Sequence, residues 1–200
     1  MKEIHLVTTS QSGRGGAYVL RVELRRTTDL VFGRFKRGKS IRCPAGSYLY
    51  TGSAMAQQGS SCLAKRLLRH ASRTQGRPHR IRSKMVKQFP LIGLADETIK
   101  PPTQKKFRWN IDHLLELETA RLAAVYPVRS SVRMEPHIGD LLEVDPKTEI
   151  VEEGLGANDR PGSTYLLRLE AEKSWWSELP QRLLDLLIQT EKQVAEGRTV

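Results

Sequence analysis

From Val31 to Ala95 the chain has no acidic residue, while fourteen Lys and Arg fall in the same stretch. With nothing to neutralise them locally, these cations suit a polyanion, because phosphates attract Lys and Arg at long range and without regard to sequence. Cysteine is nearly missing too. Cys43 and Cys62 have neither the number nor the spacing of a zinc site or a disulfide framework, so both are expected to be reduced, ordinary residues. No run approaches the roughly 20 apolar residues that a membrane span requires. Met1 to Gly16 lack the apolar core of a secretion signal, and the expected compartment is the cytoplasm. No segment repeats another.

What is present suits one soluble, globular domain. Two hundred residues with 38% hydrophobic and 28% charged side chains can bury a real core despite a net charge of +11. The charge is unevenly placed. Residues 1–112 carry 23 Lys and Arg against 6 Asp and Glu, a net of +17, whereas residues 113–200 carry 10 against 16, a net of −6. One half faces phosphate and the other does not.

After a polar start from Thr8 to Gly16, the alternation from Tyr18 to Leu24 predicts a half-buried strand, followed by a turn at Thr27-Thr28-Asp29. Val31 to Phe35 is expected to pair back as a short strand. The breakers Gly38, Pro44 and Gly46 mark a loop before an aromatic strand, Tyr48 to Ser53. Ser60 or Ser61 then suits the cap of a helix to about Ser72, with Leu63, Leu67 and Leu68 inward and Lys65, Arg66, Arg69 and Arg73 outward. Thr74 to Lys106, interrupted by Gly76, Pro78, Pro90, Pro101 and Pro102, reads as a partly helical loop that extends the basic surface. A second helix is expected from Ile111 to about Leu122 and a strand from Val125 to Arg133. Glu135 opens a short helix, Pro136 to Leu142, since an acid and a proline both suit a first turn. A tight loop from Gly154 to Gly162, a strand from Thr164 to Leu169 and an amphipathic helix from Ser174 to Glu196 complete the chain. The fold class expected is α/β, a small central antiparallel or mixed sheet flanked by helices, with the amphipathic helix at the C-terminus.

The order of motifs resembles the GIY-YIG nuclease superfamily: Gly16-Ala17-Tyr18 on the first strand, Tyr50-Thr51-Gly52 on the second, Arg66 and His70 on the following helix, and Glu135 opening a later one. More closely, Tyr48 to Ala54, Arg66 to His70, Trp109-Asn110-Ile111-Asp112-His113-Leu114-Leu115 and Gly156-Ala157-Asn158-Asp159 resemble a GIY-YIG-related family of unassigned function whose members are sometimes fused to endonuclease III. The resemblance spans about Gly16 to Leu169. It divides the chain into a polar segment, 1–15, a GIY-YIG-like domain, 16–170, with a basic insertion at about 74–106, and a C-terminal helix, 171–200. The related family usually shows Trp-His-Ile-Asp, a Ser-Asp-Cys loop and a Ser-His-Leu strand. This chain has Asn110, Asn158-Asp159-Arg160 and Thr164-Tyr165-Leu166 there. Ala17 and Thr51 replace the middle residues of the name motifs, where the side chains are expected to face the core.

What the resemblance implies is metal-dependent hydrolysis of nucleic-acid phosphodiester bonds, with DNA the favoured substrate. Glu135 would hold Mg²⁺ or Mn²⁺, Arg66 would fork onto the scissile phosphate, and Tyr18 and Tyr50 would orient or deprotonate the attacking water. His70, four residues after Arg66, would hold a phosphate or a tyrosine hydroxyl. Arg69, Arg73, Arg77, Arg80, Arg82, Lys84 and Lys87 are the candidates for backbone contacts. Taken singly, each has a bland reading: tyrosines suit any strand, and arginines any solvated helix face. The ordered set is what argues for chemistry. Asp112 reads as structural, a partner for an arginine or a backbone amide, and Trp175 and Trp176 as packing for the last helix. Two other functions fit the same residues: a catalytically inactive nucleic-acid-binding module on the same fold, and an interaction protein that docks a repair enzyme through its acidic half and last helix. The latter requires an exposed apolar face on Ser174 to Glu196.

Overall fold

A computed structural model of the chain describes residues 3–10, 12–156 and 164–197. In chain order the strands are β1 (Val7–Thr8), β2 (Gly16–Leu24), β3 (Thr28–Val31), β4 (Ser40–Cys43) and β5 (Gly46–Ala54), followed by helices α1 (Leu63–His70), α2 (Ile81–Leu91) and α3 (Asn110–Glu116). Strand β6 (Ala120–Arg129), helix α4 (Glu135–Glu143), strands β7 (Thr148–Ile150) and β8 (Leu166–Leu169), and helix α5 (Lys173–Ala195) complete it. Six strands form a mixed sheet in the order β1-β6-β2-β5-β8-β7, antiparallel except for the β1–β6 pair, and β3 and β4 form a separate ribbon.

Period-two alternation gives the sheet two apolar faces, and each is covered by helices. From β2, Tyr18, Leu20, Val22 and Leu24 join Tyr48 and Tyr50 of β5 in a core capped by α1, α2 and α3. Ala17 and Val19 point the other way, with Leu49, Tyr126 and Val128, into a core capped by α4 and α5. Leu122 and Val125 of β6 nevertheless share the first core. The register shifts opposite Arg21 and Val22, so Ala123 is an extra residue and the face changes. Ala17 and Thr51 are both buried, facing the core as expected.

Several boundaries differ from those expected. The short strand is Thr28–Val31, not Val31 to Phe35, and Phe35–Gly38 is a 3-10 turn in which Lys36 and Arg37 adopt left-handed backbone, φ 44° and 58°. Ser60 and Ser61 lie in a second 3-10 turn, and Cys62 precedes α1 without a side-chain cap. Helix α3 stops at Glu116, so Leu122 belongs to a strand. The 74–106 segment contains a full helix whose Ile81, Met85 and Phe89 enter the first core, which makes it part of the layer and not an appended loop. Most of the loop expected at Gly154 to Gly162, including Asn158, Asp159 and Arg160, lies outside the described residues. Both cysteines are free and buried. Among the described residues no helix is long and apolar enough to cross a membrane.

The last helix does not offer an open apolar face. Trp175, Trp176, Leu179, Leu183 and Leu187 are buried on the second face of the sheet, with Thr190 in the last covered place and Val194 exposed. Trp176 stacks on Tyr126 and takes the Arg21 guanidinium 3.9 Å from its ring centre, while Trp175 donates from Nε1 to Asp145. Both tryptophans are packing residues. The stripe that a docking partner would need is already used inside the fold.

Candidate active site

Pairing of β2 with β5 brings Gly16-Ala17-Tyr18 and Tyr50-Thr51-Gly52 side by side. Tyr18 lies opposite Gly52, and Tyr50 opposite Leu20, so both tyrosines project from the same face with ring centres 6.4 Å apart. Gly52 is required there: a Cβ on it would come within 2.5 Å of the Tyr18 Cζ and hydroxyl. Only a residue without a side chain lets the Tyr18 ring lie across β5.

The two rings floor an open cleft of about 530 Å³ whose walls include Arg66 from α1, Glu135 from α4, Ser53, Ser61, Arg108, Trp109, Arg133 and Gly156. Tyr18, Tyr50, Arg66 and Glu135 are thus brought together. His70 is not in the cleft wall. It is fully buried behind Tyr18, with Nε2 2.9 Å from the tyrosine hydroxyl and Nδ1 3.5 Å from Asp112 Oδ1. Of its two expected partners, it holds the hydroxyl. With the Asp112 carboxylate 3.5 Å from Nδ1, we assign the ring proton to that nitrogen, which leaves Nε2 to accept from the Tyr18 O–H.

Asp112 is structural in the sense expected. It accepts both terminal nitrogens of Arg69, at 3.0 and 2.8 Å, and the backbone N–H groups of Arg108 and Trp109, at 2.9 and 3.1 Å. The last of these is the acid half of a capping box at the start of α3. Burial opposes its ionisation, but the facing His70 ring, the hydrogen bonds from Arg69 and the Lys105 charge hold its carboxyl well below the usual range. His70 shows the opposite balance. Burial pulls its imidazole down to about 4 against the opposing pull of the nearby Asp112 carboxylate, so the ring is neutral at pH 7. Burial pushes the Tyr18 phenol well up, Arg66 pulls it back, and Glu135 pushes it up again. Tyr50 is raised in the same way, by burial first and then by Tyr18 and Glu135. Neither phenol ionises at rest.

Arg66 is held by stacking. Its guanidinium lies 3.9 Å from the centre of the Trp109 ring and donates from Nη1 to the Ser53 carbonyl at 3.2 Å, while its buried Nε has no hydrogen-bond partner among the described residues. Arg69 also lies over Trp109, 4.3 Å from the ring centre.

The expected backbone-binding residues divide into two groups. Arg69 and Arg73 are not free cations on an outer face. Arg69 is committed to Asp112 and the Lys106 carbonyl, and Arg73 donates to the carbonyls of Leu115, Leu117, Ala120 and Arg77. Unsatisfied carbonyls at and beyond the end of α3 draw the Arg73 guanidinium inward, and the buried Asp112 carboxylate draws that of Arg69. Arg82 is half-buried and reaches Ser72 Oγ at 3.3 Å. Arg77, Arg80, Lys84 and Lys87 remain exposed on or beside α2, away from the cleft wall, with Lys84 2.8 Å from Glu3. The cations that do reach the cleft beside Arg66 are Arg108 and Arg133, neither singled out from the sequence. Their signal is adjacency, one residue before Trp109 and two before Glu135.

Among the described residues no cluster of three or more His, Cys, Asp or Glu could enclose a metal ion. The cleft offers one carboxylate, Glu135, beside two phenol oxygens. That hard, oxygen-only set fits Mg²⁺ or Mn²⁺, which take one or two carboxylates and keep their waters. It does not suit zinc.

A three-layer domain with a basic cleft floored by two buried tyrosines is the class that fold and site define. Residues 17–187 match the family named domain of unknown function DUF123, and the chain belongs to that family. The match runs from β2 into α5 and so includes both cores and the cleft. Comparison with curated proteins and comparison with solved structures each return no match.

Proposed function

We propose that this protein hydrolyses nucleic-acid phosphodiester bonds, DNA first, with a divalent ion, in the manner of the GIY-YIG nucleases that its motif order resembles. The observation that carries the reading is the convergence of Tyr18, Tyr50, Arg66 and Glu135, from four separate elements, on one cleft. Arg108 and Arg133 add positive charge at its rim.

Arg66, kept planar against Trp109 with Nε unpartnered, is set to fork onto non-bridging phosphate oxygens and to neutralise charge that grows in the transition state. An ion on Glu135 would supply Lewis-acid activation of water and of the phosphate. Tyr18 gives its own proton to the hydrogen bond with His70, so its oxygen lone pairs are left to accept from the attacking water and orient it. As that water bonds to phosphorus, its proton moves to Tyr18 and the tyrosine proton moves toward His70 Nε2, where Asp112 stabilises the charge that develops. The P–O bond to the departing sugar oxygen breaks, and that oxygen takes a proton from solvent.

The test is cleavage of labelled single-stranded, duplex and branched DNA with Mg²⁺ or Mn²⁺. Glu135→Ala and Tyr18→Phe should each lose about 10²-fold or more in rate, and Arg66→Ala about 10²- to 10³-fold, all with binding retained. Binding without cutting by the unaltered protein would instead make it a noncatalytic module. Cutting that survives Glu135→Ala or a chelator would refute the assigned chemistry.

A further inference from the structure

A second recess adjoins the cleft and shares two of its residues. It holds about 580 Å³, and Arg108 and Trp109 line both spaces, while Arg34, Phe35, Phe107 and His113 help to complete the second. Among the described residues no carboxylate lines it. Its principal wall is an aromatic pair: Phe107 stacks on His113 with ring centres 4.6 Å apart and planes 23° from parallel, yet Phe107 stays 48% exposed. The His113 ring is backed in turn by Phe32, edge-on at 6.3 Å. The Phe107 ring is braced on one side by His113 and open on the other, the arrangement of a stacking platform.

From this juxtaposition we infer that the recess takes an unpaired nucleobase, stacked on Phe107, from the strand whose phosphate occupies the Tyr18 cleft. The inference rests on the nuclease reading for the neighbouring phosphate. An apolar protein side chain would suit Phe107, but not the flanking guanidiniums of Arg34 and Arg108, which match the phosphates on either side of a base. A base within an intact duplex is stacked on its neighbours and cannot enter. The recess therefore selects for a nucleotide that is unpaired next to the cut, in a single strand, a bulge or a branch.

The experiment uses the full chain in EDTA, so that only binding is read, with 2-aminopurine oligonucleotides presented single-stranded, as a one-base bulge and fully paired. The unaltered protein should quench the bulged or single-stranded probe and bind it more tightly than the paired one. Phe107→Ala should weaken binding of the unpaired probes by roughly tenfold or more and leave the duplex unchanged, since base stacking contributes on the order of 1–3 kcal/mol. Phe107→Tyr should restore it, and a thermal melt of each variant separates lost stacking from lost fold. Equal weakening on all three probes, or none, would overturn the inference. Selectivity that persists in a protein unable to cut would leave the recess standing while the nuclease reading failed. Cutting with no effect of Phe107→Ala would do the reverse.

Discussion

His79 is held neutral by two partners that a charged ring cannot keep together. Its Nε2 donates to the Leu115 carbonyl at 3.0 Å, and its Nδ1 accepts the Leu122 N–H at 3.1 Å. Protonation of Nδ1 would destroy the second bond in a buried place. Burial, with Arg73 adding to it, pulls this imidazole down to about 3, and burial pulls His70 down to about 4. Both folded values lie below the unfolded value near 6.5, so the unfolded chain binds more protons on acidification. The stability these rings contribute is therefore complete above about pH 6.5 and falls as pH drops from there toward 4. At about 1.4 kcal/mol per pH unit, each site costs about 3 kcal/mol by pH 4. Asp112 adds little above pH 4, because its loss sets in only as the unfolded carboxyl protonates, near 3.9, while the folded one stays ionised. Urea midpoints measured from pH 7.5 to 4 should show the loss, and His79→Gln, which can still donate and accept, should remove about half of the slope. An unchanged slope in that variant would contradict the assignment. Tyr18, Tyr50, Arg66 and Glu135 were legible as candidates from motif order, but His70 behind Tyr18 was not separable from a phosphate contact until the sheet placed the hydroxyl 2.9 Å away.

Arg73 shows how an element can be ended from a distance. Helix α3 has Leu114, Leu115, Leu117 and Leu122 at intervals that continue past its true end, and no Gly or Pro stops it. The stop is tertiary: the guanidinium of Arg73, more than forty positions earlier, takes the carbonyls of Leu115, Leu117 and Ala120 as the chain turns from α3 into β6. Periodicity alone could not reveal this, so helix and strand merged in the reading of 111–122. The two- and three-residue edge strands β1 and β7 were equally invisible, being too short to alternate. The long elements β2, β5, α4 and α5 were legible because pattern and burial agree along their length. Arg73→Met should cost about 2–3 kcal/mol in chemical denaturation, since charged hydrogen bonds to several carbonyls are lost at once. Arg77→Met, on an exposed side chain, should stay within about 0.5 kcal/mol. Equal effects would mean that Arg73 is a surface charge after all.

Across the whole molecule, the sheet separates the charges that the sequence divides between its halves. Helices α1 and α2 carry Lys and Arg with no acid, α4 carries Glu135, Asp140 and Glu143 with no Lys or Arg, and α5 is mixed. A nucleic acid should therefore approach over the α1–α3 layer, where Arg66 and Arg108 open onto the cleft, with Arg133 at its rim. The salt dependence of binding tells how far the strand runs from there. Each neutralised duplex phosphate adds about 0.9 to the slope of log affinity against log salt. Contacts confined to the three cleft arginines give about 3, whereas a path that continues across Arg77, Arg80 and Lys87 gives about 5. The uninterrupted basic stretch favours the longer path, so the unaltered protein should show a slope near 5 that falls to about 3 when Arg77, Arg80 and Lys87 are replaced by Gln. A starting slope near 3, untouched by those replacements, would make α2 a solvated face and confine the interface to the cleft. Conservative changes at Arg69 should leave the slope alone and lower the melting temperature, because that cation is already neutralised by Asp112 inside the fold.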